Sequence, residues 1–179
     1  MVPVARARVI VVLGVTGSGK STVGRSVAQR LEYDFCDADD LHSRGNIEKM
    51  ASGQPLSDED RRPWLNAVGR RILEILAQHN GVVIACSALK KSYRDIIRDY
   101  EPSSFFVLLS GSQELILSRV VARKGSFMPP QLLSSQFATL EPLDGDEVGV
   151  TIDVVQKLET IVQQILTALC TGENPEHDS

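Results

Sequence analysis

Five short apolar runs punctuate the chain, at residues 8–13, 33–36, 82–86, 105–109 and 148–152, with longer amphipathic stretches between them. The first, from Val9 on, and the third and fourth throughout are apolar and rich in β-branched or aromatic side chains, as expected of strands buried on both faces. Between the runs, apolar residues recur at helical spacing. Val23, Val27 and Leu31 stand at i, i+4 and i+8, while Trp64, Val68, Ile72, Ile75 and Leu76 line a predicted helix over 58–79. Ser57, followed three residues later by Asp60, resembles a capping box with Asp in place of the usual Glu. Further helices are predicted over 92–99, 112–123 and 154–169, and Pro129-Pro130 suits the first turn of a short one. Strands alternating with helices predict the α/β class, with a parallel sheet covered on both faces.

Two segments interrupt the alternation. Residues 37–63 are dense in Asp, Arg, Lys, His and Asn and are punctuated by Gly45, Gly53 and Pro55. Residues 124–143 carry Gly125, Pro129, Pro130 and Pro142 around a short helical pattern. The reading is one domain over 1–170, with a substrate-binding insertion at about 37–63, a lid at about 119–143 and a polar, frayed tail at 171–179.

The first run feeds into Gly14-Val15-Thr16-Gly17-Ser18-Gly19-Lys20-Ser21-Thr22, which matches the phosphate-binding pattern G-x-x-x-x-G-K-[ST]. Strand, glycine loop and helix follow in the order the motif requires. Glycines let the backbone curl round an anion, so that loop N–H groups and the helix N-terminus face phosphate oxygens. Lys20 is expected to reach the β/γ-phosphates and the Ser21 hydroxyl to hold Mg²⁺. A nucleoside triphosphate is the implied ligand.

The magnesium carboxylate must lie elsewhere. Neither the third nor the fourth run ends in an acid, but the second runs into Asp37-Ala38-Asp39-Asp40. Strand-like alternation would send Asp37 and Asp39 to the same side at the carboxyl end of the sheet. Asp37 is then a candidate for Mg²⁺, through water, and Asp39 for orienting or deprotonating an incoming hydroxyl. The bland counterpart is a solvated acidic turn that caps the next helix. A GTPase would need N-K-x-D, which does not occur; Asp146-Glu147-Val148-Gly149 matches D-x-x-G only by chance.

A kinase must also clamp its acceptor. His42, Arg44, Asn46, Lys49, Arg61, Arg62 and Trp64 fall within the first insertion, and Lys90, Lys91, Tyr93 and Arg94 follow the third strand. The chain as a whole is acidic, with a net charge of −4 over 179 residues. Basic side chains gathered in an acidic chain point to an anionic acceptor such as a carboxylate, and the overall charge disfavours nucleic acid. Taken singly, Arg44, Lys49, Lys91 and Arg94 fit a surface helix face better than a site. Arg119 and Arg123 stand at i and i+4 ahead of Lys124-Gly125, where they are expected to neutralise a transferring phosphoryl group; the bland counterpart is two solvated arginines near a helix C-terminus. The first apolar run is too short to span a bilayer. Three cysteines, Cys36, Cys86 and Cys170, show neither C-x-x-C spacing nor an even count. Cys36 and Cys86 are read as small buried hydrophobes. A cytoplasmic setting fits all of this, without a membrane segment.

The chain closely resembles the gluconate kinases, relatives of shikimate kinase in the nucleoside monophosphate kinase-like group, from about Val9 to about Leu169. The resemblance is carried by Asp37-Ala38-Asp39-Asp40-Leu41-His42, Asn46-Ile47-Glu48-Lys49-Met50, the run from Gly53 to Leu65, the run from Cys86 to Asp95, Arg119 with Arg123-Lys124-Gly125, and the run from Gln136 to Pro142. It implies a three-layer P-loop kinase fold with a five-stranded parallel sheet, a homodimer, and phosphorylation of D-gluconate at its 6-hydroxyl by ATP. By similarity Asp39 is the base or hydroxyl-orienting residue, His42, Arg62 and Lys90 contact the acceptor, and Arg119 and Arg123 belong to the lid. The family usually reads Gly-His-Phe where this chain has Gly125-Ser126-Phe127, so a lid role for that histidine does not carry over. The remaining readings are a kinase for another sugar acid or for shikimate, and a nucleotide sensor without turnover.

Overall fold

A computed structural model describes residues 7–122 and 130–171. Five strands, β1 (Val9–Leu13), β2 (Asp34–Asp37), β3 (Val82–Ala85), β4 (Phe105–Ser110) and β5 (Gly149–Asp153), form one sheet in the order β2-β3-β1-β4-β5. Every pairing is parallel. Each strand lies within one residue of its predicted run. The helices are α1 (Lys20–Leu31), α2 (Arg44–Ala51), α3 (Asp58–Leu76), α4 (Lys91–Tyr100), α5 (Gln113–Ala122), α6 (Pro130–Thr139) and α7 (Leu158–Thr171).

Strand alternation divides the core in two. On one face Ile10, Val12, Val107 and Val150 pack with Val23 and Val27 of α1, Ile116 of α5 and Ile161 and Ile165 of α7. On the other, Val9, Val11, Ile84 and Phe106 pack with Trp64, Leu65, Val68 and Ile72 of α3 and with Tyr93 and Ile97 of α4. All five residues of β1 are fully buried, which is why its run is continuously apolar.

Differences from the sequence expectations have local causes. The helix predicted to His79 ends at Leu76, where Arg8 donates to the carbonyls of Leu76, His79 and Asn80 and so satisfies the chain beyond it. The last helix begins at Leu158 rather than at 154, because Val154 extends the sheet edge by donating to Ser110 O at 2.8 Å. The insertion is more ordered than its composition suggests. Ser43 caps α2, Ser57 and Asp60 form the complete capping box of α3, and Asn46 and Lys49 of α2 bond to the Asp60 carbonyl and carboxylate at 3.0 and 2.6 Å. Cys36, expected inside, is only half-buried on the edge strand, whereas Cys86 is fully buried and its thiol is pushed up to about 12 by that burial. Residues 123–129 and 172–179, with Arg123, Ser126 and most of the expected tail, lie outside the described residues.

Arg94 ties the loop after β3 to the segment that leads into β5. It is fully buried, forks onto both Glu147 oxygens at 2.6 and 2.9 Å, and donates to the carbonyls of Leu89, Glu141 and Pro142. A guanidinium suits this place because its planar donors reach several acceptors at once. Arg94→Leu would strand a buried carboxylate and is expected to cost about 3–5 kcal/mol in urea unfolding. Arg94→Lys, with three donors and no fork, is expected to recover less than half of that loss.

Candidate active site

β1 delivers the chain to the carboxyl edge of the sheet, and the glycine loop turns there into α1. Gly17 and Gly19 adopt φ of 82° and 98°, the left-handed region that side chains disfavour. A Cβ on Gly17 would also stand 2.5 Å from Val120 Cγ2. Gly19 caps α1 without a side-chain hydrogen bond, so no capping side chain takes the first-turn N–H groups. Lys20 Nζ folds back over the loop to Val15 O at 3.1 Å. The result is an open cavity of about 370 Å³, lined by Thr16, Gly17, Gly19, Lys20, Ser21, Thr22, Asp39, Arg119 and Val120. Gly14, Val15 and Ser18 complete the loop, Val15 and Ser18 being buried beneath it.

The acids arrive by a different geometry from the one the sequence suggested. Asp37 ends β2, but Asp39 does not continue the strand: it sits in a short 3-10 turn over Ala38–Leu41. Asp37 works in both directions. One carboxylate oxygen caps that turn by accepting from Asp39 N at 3.1 Å, and the other accepts from the Ser21 hydroxyl at 2.6 Å. Simple alternation therefore gave the wrong reason for a correct neighbourhood, since the turn, not the pleat, sends Asp39 into the cavity beside Lys20. Asp39 remains open to solvent, with 70% of its side chain exposed to the cleft. Protein packed around it still raises its carboxyl above the ordinary range, aided by the charges of Asp37 and Asp40 and opposed by Lys20.

His42 lies behind Asp39. Its imidazole stacks on the Trp64 indole with centroids 4.1 Å apart, and Trp64 Nε1 donates to Ala38 O at 2.7 Å. The indole thereby fixes both the turn that carries Asp39 and the ring that follows it. The His42 side chain is only 4% exposed, and burial, with the nearby Arg61 charge, holds its pKa at about 4. At neutral pH the ring is uncharged, so its Nε2, 3.9 Å from Asp39 Oδ1, forms no ion pair with it. His42 Nδ1 is buried with no hydrogen-bond partner among the described residues.

The basic residues sort into three groups. Lys49, Lys91 and Arg94 are engaged in structure, with Asp60, with Asp95 and Asp146, and with Glu147, and Arg44 forms an exposed pair with Glu48. Arg119 borders the phosphate-loop cavity and donates to Val154 O at 2.7 Å. The expected acceptor contacts divide. Lys90 is held by Asp58 at 2.9 Å, and Asp58 also accepts from the Tyr93 hydroxyl. These two bonds, Tyr93 before Lys90, keep the Asp58 carboxyl below the usual range. Arg62 lies elsewhere. It is exposed and borders a separate depression with Asn66, Asp99 and Tyr100. Its neighbour Arg61 faces inward, over the Tyr93 ring and into a narrow cleft with Leu56, Leu89, Leu132 and Gln136. Helical spacing carries the signal that separates them: the half-buried residue 61 falls in line with the buried Trp64, Leu65 and Val68, whereas residue 62 is exposed.

The shikimate kinase family profile matches residues 16–169. The thermoresistant gluconokinase of Escherichia coli is 44% identical over 92% of this chain and 95% of its own length. A gluconokinase of Arabidopsis thaliana is 42% identical over 94% and 95%. The chain belongs to the shikimate kinase family, in its gluconokinase branch. It is a kinase. The crystal structure of a gluconokinase from Sinorhizobium meliloti superposes with a TM-score of 0.84 at 44% identity, covering 93% of each chain. A shikimate kinase from Bacteroides thetaiotaomicron, at 17% identity and a TM-score of 0.63, shares the fold alone. Among the described residues, no helix is long and apolar enough to cross a membrane.

The buried imidazole makes a signed prediction about pH. Its folded value, about 4, lies below the ordinary 6.5, so the unfolded chain takes up the proton first as pH falls. Stability is expected to be unaffected by His42 above about pH 6.5 and to decline from there toward pH 4. In paired urea titrations, His42→Gln is expected to flatten that decline by up to about 1.4 kcal/mol per pH unit, one proton's worth.

Proposed function

We propose that this kinase transfers the γ-phosphoryl group of ATP to the 6-hydroxyl of D-gluconate, giving 6-phospho-D-gluconate and ADP. One observation carries the reading: Asp39 opens into the same cavity as Lys20 and the phosphate loop, with the Ser21–Asp37 contact beside it. Residues Gly14 to Thr22 receive the triphosphate through main-chain N–H groups, and Lys20 neutralises its β/γ oxygens. The Ser21 hydroxyl and the Asp37 carboxylate, 2.6 Å apart, are hard oxygen donors of the kind Mg²⁺ takes together with phosphate and water. When bound, that ion offsets charge on the phosphate oxygens. Among the described residues no cluster of three or more His, Cys, Asp or Glu side chains could hold a metal.

Asp39 receives the proton of the attacking hydroxyl. A carboxyl raised above its ordinary range is a better base near neutral pH than a free one. His42, held neutral by burial, suits a sugar hydroxyl better than the carboxylate, and its place among the acceptor contacts rests on the resemblance. The carboxylate falls to Lys90 and Arg61; Arg62 stays a candidate by resemblance alone. Arg119 and Arg123 are assigned to the charge that builds on the transferring group. The family resemblance adds a homodimer in the cytoplasm, with no nucleic-acid or membrane partner.

ADP release, measured by coupled assay across a panel of sugar acids with shikimate as control, tests the substrate. Turnover with gluconate far above the others is expected; equal ATP consumption with and without any sugar acid would sink the reading in favour of a nucleotide sensor. Lys20→Ala is expected to abolish turnover. Asp39→Asn is expected to lower kcat by about 10²-fold or more, the range a positioned proton acceptor supplies, and an unchanged kcat would remove Asp39 from this role.

A further inference from the structure

The phosphate loop is tied to a helix 120 residues away. Gln136, on α6, accepts from Thr16 N at 2.7 Å through Oε1 and donates from Nε2 to Thr16 Oγ1 at 3.3 Å. The amide orientation is fixed, because the reverse would set its NH₂ against the Thr16 N–H. Thr16 borders the triphosphate cavity. On its other side Gln136 lines the narrow cleft that holds Arg61, Leu89 and Ser135. One side chain therefore lines the cleft and grips a residue in the wall of the cavity.

α6 is also held at its far end. Glu141, two residues beyond the helix, donates its N–H to Leu89 O at 2.8 Å and accepts from Lys91 N at 2.6 Å. Those bonds clasp the loop after β3, the loop that carries Lys90, and they place a carboxylate at the start of α4, where the helix dipole favours it. Between its two ends, Leu133 seats α6 in the core. The connection runs without a break from the Lys90 loop through α6 to the main chain of the phosphate loop.

We propose that Gln136 is a positioning residue that sets the phosphate loop in register with the acceptor cleft, so that sugar acid and ATP each bind more tightly when the other is present. The proposal rests on the gluconate kinase reading above and adds a coupling residue to it. Gln136 touches the loop rather than the reacting atoms. Its removal is expected to act on the binding of ATP and on mutual enhancement more than on the chemical step.

The test compares binding of a non-hydrolysable ATP analogue with and without gluconate, by calorimetry, in the wild type, Gln136→Met and Gln136→Glu. The methionine is of similar length but has no amide. The glutamate still accepts from the Thr16 N–H and hydroxyl, although its charge beside the triphosphate weakens binding overall. Wild type is expected to bind the analogue more tightly with gluconate. Gln136→Met is expected to lose that enhancement and to raise the KM for ATP about three- to tenfold, the effect of one or two hydrogen bonds. Gln136→Glu is expected to keep the enhancement ratio. Enhancement unchanged in Gln136→Met, lost equally in both variants, or absent from a wild type that turns over gluconate, overturns the role of Gln136 alone. A wild type without gluconate-dependent ADP release overturns the parent reading and this one with it.

Discussion

The hydrogen bond between Ser21 and Asp37 joins two segments that the sheet itself keeps apart. β3 lies between β1 and β2, and the registers Val12↔Ala85 and Asp37↔Ala85 bring the ends of all three strands to one level. Because β3 stops at Ala85 and turns away, the first turn of α1 can reach across its end to the carboxylate of β2. A direct hydrogen bond joins the phosphate loop's helix to the acidic strand end there, beside the cavity that Asp39 shares with Lys20. Shortening or slipping β2 by a residue would reverse which side its acid faces, since side chains alternate along a strand. The parallel topology is thus more than a scaffold: it sets the one level at which a hydroxyl, a carboxylate and a loop of main-chain donors coincide.

Electrostatics act on this frame by allocation. The chain carries 19 basic and 23 acidic residues, and many of the cations near the site already hold a carboxylate. Arg94 and Glu147 neutralise each other out of water, at a desolvation cost that the surrounding carbonyls offset. Lys90 and Asp58 pair in partial contact with solvent, where screening makes the bond weak enough to exchange. A buried pair fixes architecture; an exposed one leaves its cation within reach of a ligand. Burial rather than composition decides which cations are available.

Most of the frame was legible because it rests on period and on glycine. The five runs, the loop and the capping box are each set by neighbours within a few residues, so local sequence contains them. Asp37 and Asp39 come together for a reason other than the expected one: Asp37 bends the chain by capping Asp39 N, a competition between side chain and strand that alternation does not register. Arg61 and Arg62, adjacent in sequence, face different depressions, a difference that helical spacing relative to Trp64 encodes and the resemblance does not. The His42–Trp64 stack and the Gln136–Thr16 contact could not be read at all. Both depend on how segments distant in sequence pack, and no periodicity encodes that.

Trp64 shows why the acid could be placed so openly. A carboxylate exposed to a cleft gains little from its own contacts, so its position must come from the backbone that carries it. The indole supplies that position from beneath, donating to Ala38 O one residue before Asp39 while its face holds His42 three residues beyond. Asp37 fixes the same turn from its other end through Asp39 N. With the backbone held on both sides, the Asp39 side chain need not be tethered and stays available for a proton. A rigid turn beneath a solvated carboxylate reconciles two demands that oppose each other elsewhere in the molecule, since Arg94 keeps its place only by giving up every donor it has.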